Sequence, residues 1–229
     1  MSLYGDKRIV GDHSDFMIRF NLFGFQVGVQ GWFWLTAFLL GGGLRMRSAS
    51  EWPEVALAVG VIFVSILVHE LGHALAARYF GQQAAIYFHG LGGLTHFQGG
   101  TLGRWRHAMV VAAGPAASLS LAVLFALWLP WRDVSPWVDQ VVSIGLWVNV
   151  VWTMINCLPI LPMDGGQLLR DILGEKHERL CCGIGGILAV MMVLLALISG
   201  FYFMAVLMGF LAWSNFKGAG TFQGGVSQA

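Results

Sequence analysis

Charged side chains are scarce in this sequence. Asp, Glu, Lys and Arg make up only 11% of the 229 residues, and the formal net charge is +1. Soluble domains carry about 25% charged residues, so the composition excludes an ordinary soluble protein, and the near-neutral charge gives no indication of a nucleic-acid partner. Cysteine is also rare. The three cysteines are an odd number without a C-x-x-C pair, which supports neither a disulfide framework nor a thiolate zinc site.

Hydrophobic residues are abundant instead, at 57% of the chain. Their long runs predict an all-α polytopic membrane protein with about six transmembrane helices and small membrane-associated β-strand elements. We expect a polar N-terminal segment at 1–15 without a cleaved signal peptide, a membrane core at 16–216 and a flexible tail at 217–229. The predicted spans are 31–44, 54–80, 106–130, 137–158 and two short helices within 181–216 that Ser199-Gly200 separates.

Two segments between the predicted spans favour β-structure. Residues 16–29 are rich in Phe, Val and Ile and predict a strand near the membrane face. Residues 84–98 contain two short strand-like runs around GLGG, which predicts a hairpin. A short amphipathic helix is expected from the LPMDGG sequence to about Gly174.

The distribution of basic residues predicts the orientation of the chain in the membrane. With six spans, three of the 13 Lys and Arg residues (Arg45, Arg47 and Arg132) fall on one side and the remaining ten on the other. Cytoplasmic loops carry the excess of Lys and Arg. Both termini and the 81–104 loop are therefore expected in the cytoplasm, and we expect the membrane to be that of a prokaryotic cell.

An HELGH sequence interrupts the second apolar run. Ionisable groups inside a span cost free energy unless they have partners, so they indicate function by default. His69 and His73 lie one helical turn apart on the same face. Two imidazoles at this spacing can share one zinc ion, and Glu70 lies beside them as a candidate base. The alternative is two core histidines and an isolated acid, which the apolar surroundings disfavour.

Asp164 is the candidate for a third zinc ligand. It is an acid in membrane-like sequence without a local charge partner, within NCLPILPMDGG. Pro159 and Pro162 prevent ordinary helix before it, and irregular backbone at membrane depth is tolerated only where it lines a cavity or is buried in protein. Gly165 and Gly166 permit a tight turn at this point. The alternative for Asp164 alone is a helix N-cap.

Three polar residues share one face of the fourth predicted span and point into the bundle. Asn149 and Thr153 are candidates for contact with a substrate backbone, together with the extended segment at Pro159 and Pro162. Interhelical hydrogen bonding explains Asn149 and Thr153 equally well. For Asn156, which is close in sequence to the proposed ligand, we expect a catalytic hydrogen-bond donor.

HELGH in one span and NCLPILPMDGG after a later one together resemble the site-2 protease family of intramembrane zinc metalloproteases. That family pairs H-E-x-x-H with N-x-x-P-x-x-P-x-D-G, and residues 156–166 match the second pattern position by position, with Met163 where Leu is more usual. The GLGGL and AGP sequences also look like the family's. The resemblance implies roles for five residues: zinc ligation by His69, His73 and Asp164, acid/base catalysis by Glu70, and oxyanion stabilisation by Asn156.

The resemblance also implies an activity and partners. The expected reaction is hydrolysis of peptide bonds within or near transmembrane segments of other membrane proteins, with one zinc ion per chain. No loop is long enough for a PDZ domain and the tail is too short for CBS domains, so we expect a minimal catalytic core. Its expected partners are a transmembrane substrate, membrane lipid and a membrane-tethered regulator. Two alternatives stay open, a proteolytically inactive membrane scaffold and a zinc transporter.

Overall fold

The computed structural model describes residues 17–221, which are mostly helical. The predicted polar segment at 1–15 lies outside the described residues. The described part contains four strands and seven α-helices, with the bounds β1 Met17–Leu22, β2 Phe25–Gln30, α1 Gly31–Leu40, α2 Trp52–Tyr79, β3 Gln83–His89, β4 Gly92–Gln98, α3 Arg104–Trp128, α4 Pro136–Asn156, α5 Asp164–Leu173, α6 Glu178–Ile198 and α7 Tyr202–Thr221. The predicted class, helical with a small β element, is confirmed.

The four strands form one mixed sheet in the order β1-β2-β3-β4. β1 and β2 pair antiparallel, β3 and β4 pair antiparallel, and the parallel pairing of β2 with β3 joins the two hairpins. The hairpin predicted over 84–98 is confirmed. The single strand predicted over 16–29 is a second hairpin, because Phe23 and Gly24, with φ of 49° and 83°, form a two-residue turn of the kind that needs positive φ. Positive φ is uncommon for a residue other than glycine, so the sequence did not reveal this turn.

The main apolar core lies between the sheet and helices α1, α2 and α4. In β2, Phe25, Val27 and Val29 are at most 2% exposed, and they pack with Phe33 of α1 and Ile66 of α2. Full burial of side chains of this size stabilises the fold by about 1.5–3 kcal/mol each. This core fixes the sheet against α2, the helix that carries HELGH.

Helices α2, α3 and α4 pack against one another. A close approach occurs at Gly72 of α2, where an added Cβ would collide with the carbonyl oxygen of Ala113 and lie 2.9 Å from the Cβ of Ala117, both in α3. Small residues let helix backbones approach closely in membranes. Gly72 therefore brings α3 alongside the two histidines of HELGH.

Within residues 17–221, four helical segments are long and apolar enough to cross a membrane, which supports an integral membrane protein. They are Ala49–Tyr79, Arg104–Val134, Pro136–Asn156 and Glu178–Ile198. The predicted count of six spans is not confirmed. α1 has only 10 residues, and a helix of this length covers about 15 Å of a hydrocarbon layer about 30 Å thick. α7 carries the polar residues Ser214, Asn215 and Lys217 in its second half, which lowers the mean hydropathy of that half.

Residues 181–216 belong to two helices, as predicted, and the chain breaks between them at Gly200, whose φ is 75°. α6 and α7 pack on each other around a second apolar core that contains Ile160, Met208 and Leu211. Ile160 comes from the NCLPILPMDGG segment and is 0% exposed. The α6–α7 pair is therefore joined to that segment through a shared core.

The boundary predicted for the C-terminal tail needs correction. The tail was expected to begin at 217, but α7 continues to Thr221. The Lys217 ammonium lies 5.1 Å from the centre of the Trp213 ring, one helical turn earlier, and such a cation–π contact favours continued helix. Residues 222–229 lie outside the described part of the chain.

Two glycines of α2 provide a matched test of the helix packing. We expect Gly72→Ala to destabilise the fold by about 1–3 kcal/mol, because the added methyl group meets the α3 backbone. Gly60 has nothing within 4 Å of an added Cβ, so Gly60→Ala should leave stability unchanged or raise it by up to about 1 kcal/mol through higher helix propensity. Thermal unfolding in detergent measures both variants. Equal unfolding temperatures would contradict the close approach of α2 and α3.

Candidate metal centre

Two histidines and one aspartate meet in the interior of the helix bundle. His69 and His73 lie one turn apart on α2, and Asp164 is the first residue of α5. Each side chain offers one ligand atom, and these atoms all lie within 4.8 Å of one another. His69 is 2% exposed, and His73 and Asp164 are each 7% exposed. The structure thus brings together the three residues for which the sequence predicted zinc ligation.

The spacing of the three candidate ligand groups fits a tetrahedral metal ion. The Nε2 atoms of His69 and His73 are 3.2 Å apart. Asp164 Oδ2 is 3.1 Å from the His69 Nε2, and Asp164 Oδ1 is 3.5 Å from the His73 Nε2. Ligand atoms about 2.1 Å from a tetrahedral zinc ion lie about 3.4 Å from one another. Two unprotonated imidazole nitrogens this close repel each other unless they share a cation, so the residues present fit a metal.

Helix α3 sets the orientation of both imidazole rings. His73 Nδ1 lies 2.9 Å from the carbonyl oxygen of Val110. A carbonyl only accepts, so Nδ1 carries the hydrogen and the Nε2 lone pair is left for a metal. His69 Nδ1 lies 3.0 Å from Ser118 Oγ. Outer hydrogen bonds of this kind fix the rings of metal-binding histidines. No sequence pattern indicated Val110 or Ser118, because neither belongs to a local motif that involves the histidines.

Glu70 is buried beside the two histidines and is held by strand β4. It is 3% exposed. The Thr95 hydroxyl lies 2.7 Å from Glu70 Oε2, to which it donates, and 3.1 Å from the Glu70 carbonyl oxygen. An added Cβ at Gly93 would lie 2.5 Å from both Cγ and Oε1 of Glu70, so a larger residue there would displace the Glu70 side chain. This contact accounts for the glycine at position 93, the second of the Gly-Gly pair in GLGGL. No sequence pattern indicated the role of Thr95.

An irregular loop, residues 157–163, leads from α4 to Asp164. It contains a cis peptide bond at Leu161-Pro162, and the helix is interrupted here as the two prolines predicted. Met163 occupies the N-cap position of α5, and no side-chain capping bond forms there in the described structure. The capping alternative for Asp164 is therefore not supported, and its carboxylate faces the two histidines instead.

The polar residues of α4 form hydrogen bonds either to α2 or within α4 itself. Asn149 is 1% exposed, and its Nδ2 donates to Ser65 Oγ of α2 at 2.9 Å, which is the interhelical arrangement that the sequence left open. Thr153 Oγ1 donates to the Asn149 carbonyl oxygen at 2.7 Å. Asn156 Nδ2 donates to the Trp152 carbonyl oxygen at 3.0 Å. An amide nitrogen carries two hydrogens, so this bond leaves Asn156 one N–H for another acceptor.

His89 and His107 lie outside the metal group and have other partners. His107 Nδ1 lies 2.6 Å from Asp171 Oδ2, and this pair joins α3 to α5, the helix that begins at Asp164. His89 Nδ1 accepts the Leu91 N–H at 3.2 Å in the β3–β4 turn. Burial lowers the pKa of His89, against a smaller opposing effect of the Glu70 charge. A neutral His89 therefore suits its role as an acceptor in that turn.

Comparison with known proteins identifies relatives along most of the chain. The sequence matches the model of Peptidase family M50 over residues 56–131 and 132–199. It is similar to the putative zinc metalloprotease Rip3 of Mycobacterium tuberculosis, at 33% identity over 202 residues, 81% of this chain and 51% of Rip3. It is also similar to the zinc metalloprotease MJ0392 of Methanocaldococcus jannaschii, at 25% identity over 186 residues, 79% of this chain and 53% of that protein. The chain spans about half the length of these curated relatives.

The fold is similar to that of a solved structure, the site-2 protease from Methanocaldococcus jannaschii. The TM-score is 0.59 at 24% sequence identity, and the match covers 89% of this chain and 95% of that chain. This likeness shows a shared fold, and the family match includes both HELGH and NCLPILPMDGG. The resemblance predicted from these two sequences is confirmed: the chain belongs to peptidase family M50, the site-2 protease family.

Proposed function

We propose that this chain is an intramembrane zinc metalloprotease. The observation that carries the proposal is the position of Glu70 beside the group formed by His69, His73 and Asp164, all of them buried among apolar helices. Membership of a peptidase family, with relatives named as zinc metalloproteases, supports the same activity. The two Nε2 atoms and the Asp164 carboxylate would hold zinc, and three protein ligands leave the fourth position open, as catalytic sites require.

The proposed reaction is hydrolysis of a peptide bond. Zinc at this centre supplies Lewis-acid polarisation and makes water more acidic. Glu70 takes a proton from the attacking water while the water oxygen bonds to the scissile carbonyl carbon, and it gives the proton to the leaving amine as the C–N bond breaks. Thr95 binds Glu70 Oε2 and so orients Oε1 for this transfer. Asn156 donates an N–H to the oxyanion that develops.

The two alternative functions have weaker support. A transporter needs several metal sites along a path, whereas the described residues contain the one group formed by His69, His73 and Asp164. An inactive scaffold has no need of a base, whereas Glu70 is buried beside this group and hydrogen-bonded through its carboxylate. Both observations favour hydrolysis.

The depth of the centre supports a substrate within the membrane. A transmembrane helix shields its peptide bonds, so the substrate segment must unwind before cleavage. β4 forms one edge of the sheet and passes Glu70, so an extended substrate that adds to this edge would reach the centre. Membrane lipid and a membrane-tethered regulator complete the proposed partners.

Four further residues stay predicted substrate contacts. Pro162 is exposed and Pro159 is half-buried, so the loop surface around them is open to a bound segment. Thr153 is half-buried on α4. Asn149 has the least support, because its buried bond to Ser65 favours the interhelical role.

We also propose six crossings, with both termini in the cytoplasm of a prokaryotic cell. β2 and β3 are paired neighbours, yet α2 crosses the membrane between them. The chain must therefore cross once more before α2, and α1 with the loop after it is the available segment. α7 would supply the sixth crossing. The excess of Lys and Arg on the side of the 81–104 loop supports a cytoplasmic location for that loop.

Two variants separate the proposed base from the proposed ligands. Glu70→Gln keeps size and polarity but cannot take the proton, so zinc should stay near about one per chain while cleavage falls by at least about 10²–10⁴-fold. Asp164→Ala should lose most of the zinc together with the activity. Metal analysis and cleavage of a single-span substrate measure both quantities. Full zinc content in Asp164→Ala would refute the assignment of Asp164 as a ligand. Normal cleavage by Glu70→Gln would show that another group acts as the base.

Thr95 offers a test of how the base is held. Thr95→Val keeps the side-chain shape and removes the hydroxyl, so kcat should fall by about 10–100-fold while KM and zinc content stay unchanged. Thr95→Ser restores the donor and should recover most of the activity. Comparable kcat values for Thr95→Val and wild type would show that Glu70 is positioned without this bond.

Asn156→Ala tests the proposed oxyanion donor. If Asn156 acts mainly in the transition state, kcat should fall by about 10²–10³-fold with zinc content intact. If Asn156 only bonds to its own helix, the variant should lose about 1 kcal/mol of stability and cleave nearly as fast as wild type. Met154 is 66% exposed on the same helix, so Met154→Ala serves as the control. A folded, zinc-loaded Asn156→Ala protein that cleaves like this control would return Asn156 to a structural role.

A further inference from the structure

Helices α5 and α6 both pack closely against the backbone of the loop that leads to Asp164. In the first turn of α5, an added Cβ at Gly166 would be 2.5 Å from the carbonyl carbon of Ile160. In α6, an added Cβ at Gly185 would be 3.1 Å from the carbonyl oxygen of Pro159. Both glycines therefore allow a helix backbone to approach the loop closely.

Asn215 of α7 forms hydrogen bonds with the backbone of this loop. Its Oδ1 accepts the Leu161 N–H at 3.3 Å, and its Nδ2 donates to the Leu161 carbonyl oxygen at 2.7 Å. The same Nδ2 donates to the Leu211 carbonyl oxygen of α7 at 2.8 Å. Asn215 is only 2% exposed. One buried side chain thus satisfies both backbone polar groups of a single loop residue, as a neighbouring strand would.

These two bonds join the loop to a distant helix, whereas its other backbone hydrogen bonds are local: the Ile160 N–H donates to the Leu158 carbonyl oxygen at 2.7 Å, and the Met163 N–H donates to the Ile160 carbonyl oxygen at 2.8 Å. Pro159 and Pro162 have no N–H to donate, and Leu161 lies between them. A buried backbone group without a partner costs about 1–3 kcal/mol, so the position of Leu161 depends on its pairing with Asn215. Leu161 precedes Asp164 closely in the chain. A shift of Leu161 would therefore move the start of α5 and the carboxylate with it.

We propose that Asn215 is a positioning residue for the metal centre, which holds the Leu161 backbone and thereby keeps the Asp164 carboxylate within reach of His69 and His73. This proposal rests on the proposed function, in which Asp164 is a zinc ligand. It gives the α6–α7 pair, which contributes none of the three candidate ligands, a part in metal binding. A ligand that is already in place binds metal more tightly than one that must first be ordered.

Zinc affinity, measured by chelator competition on the purified full chain in detergent, tests the role of Asn215. Asn215→Leu removes both bonds to Leu161 and should raise the zinc dissociation constant by about 10–100-fold. Asn215→Asp keeps the acceptor but loses the donor, and should raise it by at least about threefold. Ser214 is an exposed neighbour on the same helix, so Ser214→Ala is the matched control and should bind zinc as the wild type does.

A double-mutant cycle separates positioning of Asp164 from a general loss of structure. In an Asp164→Ala background, Asn215→Leu should change the residual zinc affinity by less than about twofold, because its effect passes through the missing carboxylate. An equal loss of affinity in both backgrounds would overturn the proposal, and so would wild-type affinity in both position-215 variants. If Asn215→Leu does not fold, Asn215→Asp in the two backgrounds decides by the same criteria.

Zinc binding by the wild type and by the variants distinguishes a failure of the proposed function from a failure of the role of Asn215. If the wild type binds no zinc, the proposed function and the role of Asn215 are both overturned. If the wild type binds zinc and Asp164→Ala loses it, but the variants at 215 bind normally, only the role of Asn215 is overturned.

Discussion

Two imidazoles and a carboxylate must lie within a few ångströms of one another inside an apolar helix bundle, and the rest of the fold follows from this requirement. Each of these groups alone would be costly to bury at that depth. Helix geometry places His69 and His73 at the correct spacing without help, because both lie on one face of α2. Asp164 comes from a separate element, so most of the remaining architecture serves to bring the start of α5 to the middle of α2.

The elements that supply no candidate ligand hold the ones that do. α3 orients both imidazoles through Val110 and Ser118, and Gly114 leaves room for the His73 ring, with which an added Cβ would collide. The sheet holds Glu70 through Thr95. α6 packs against the loop before Asp164, and α7 bonds to it through Asn215. The proposed centre is therefore an assembly of the whole core, although its recognisable motifs occupy only two short stretches of sequence.

The division between what could be predicted and what could not has a physical origin. The importance of HELGH and NCLPILPMDGG could be predicted because helical periodicity, proline and glycine act on the local backbone. The break at Gly200 and the hairpin over 84–98 could be predicted for the same reason. Ser118, Thr95 and Asn215 meet their partners only after distant helices and strands have packed, and a serine, threonine or asparagine in a span has many ordinary explanations. The turn at Phe23 was missed because its backbone conformation contradicts the preference of its residue type.

The parallel pairing of β2 with β3 sets an order on the folding of the nascent chain. At about 5–20 residues per second, a ribosome needs roughly 3–10 s to synthesise the approximately 50 residues between the two strands. During this interval β2 is paired on one side by β1, while its other edge presents unpaired N–H and C=O groups, a template for pairing with other chains. This edge of β2 therefore gains its partner strand only after α2 has been synthesised and β3 has reached the sheet. A delay in the placement of α2 would therefore prolong the time for which this edge is open to pairing with other chains.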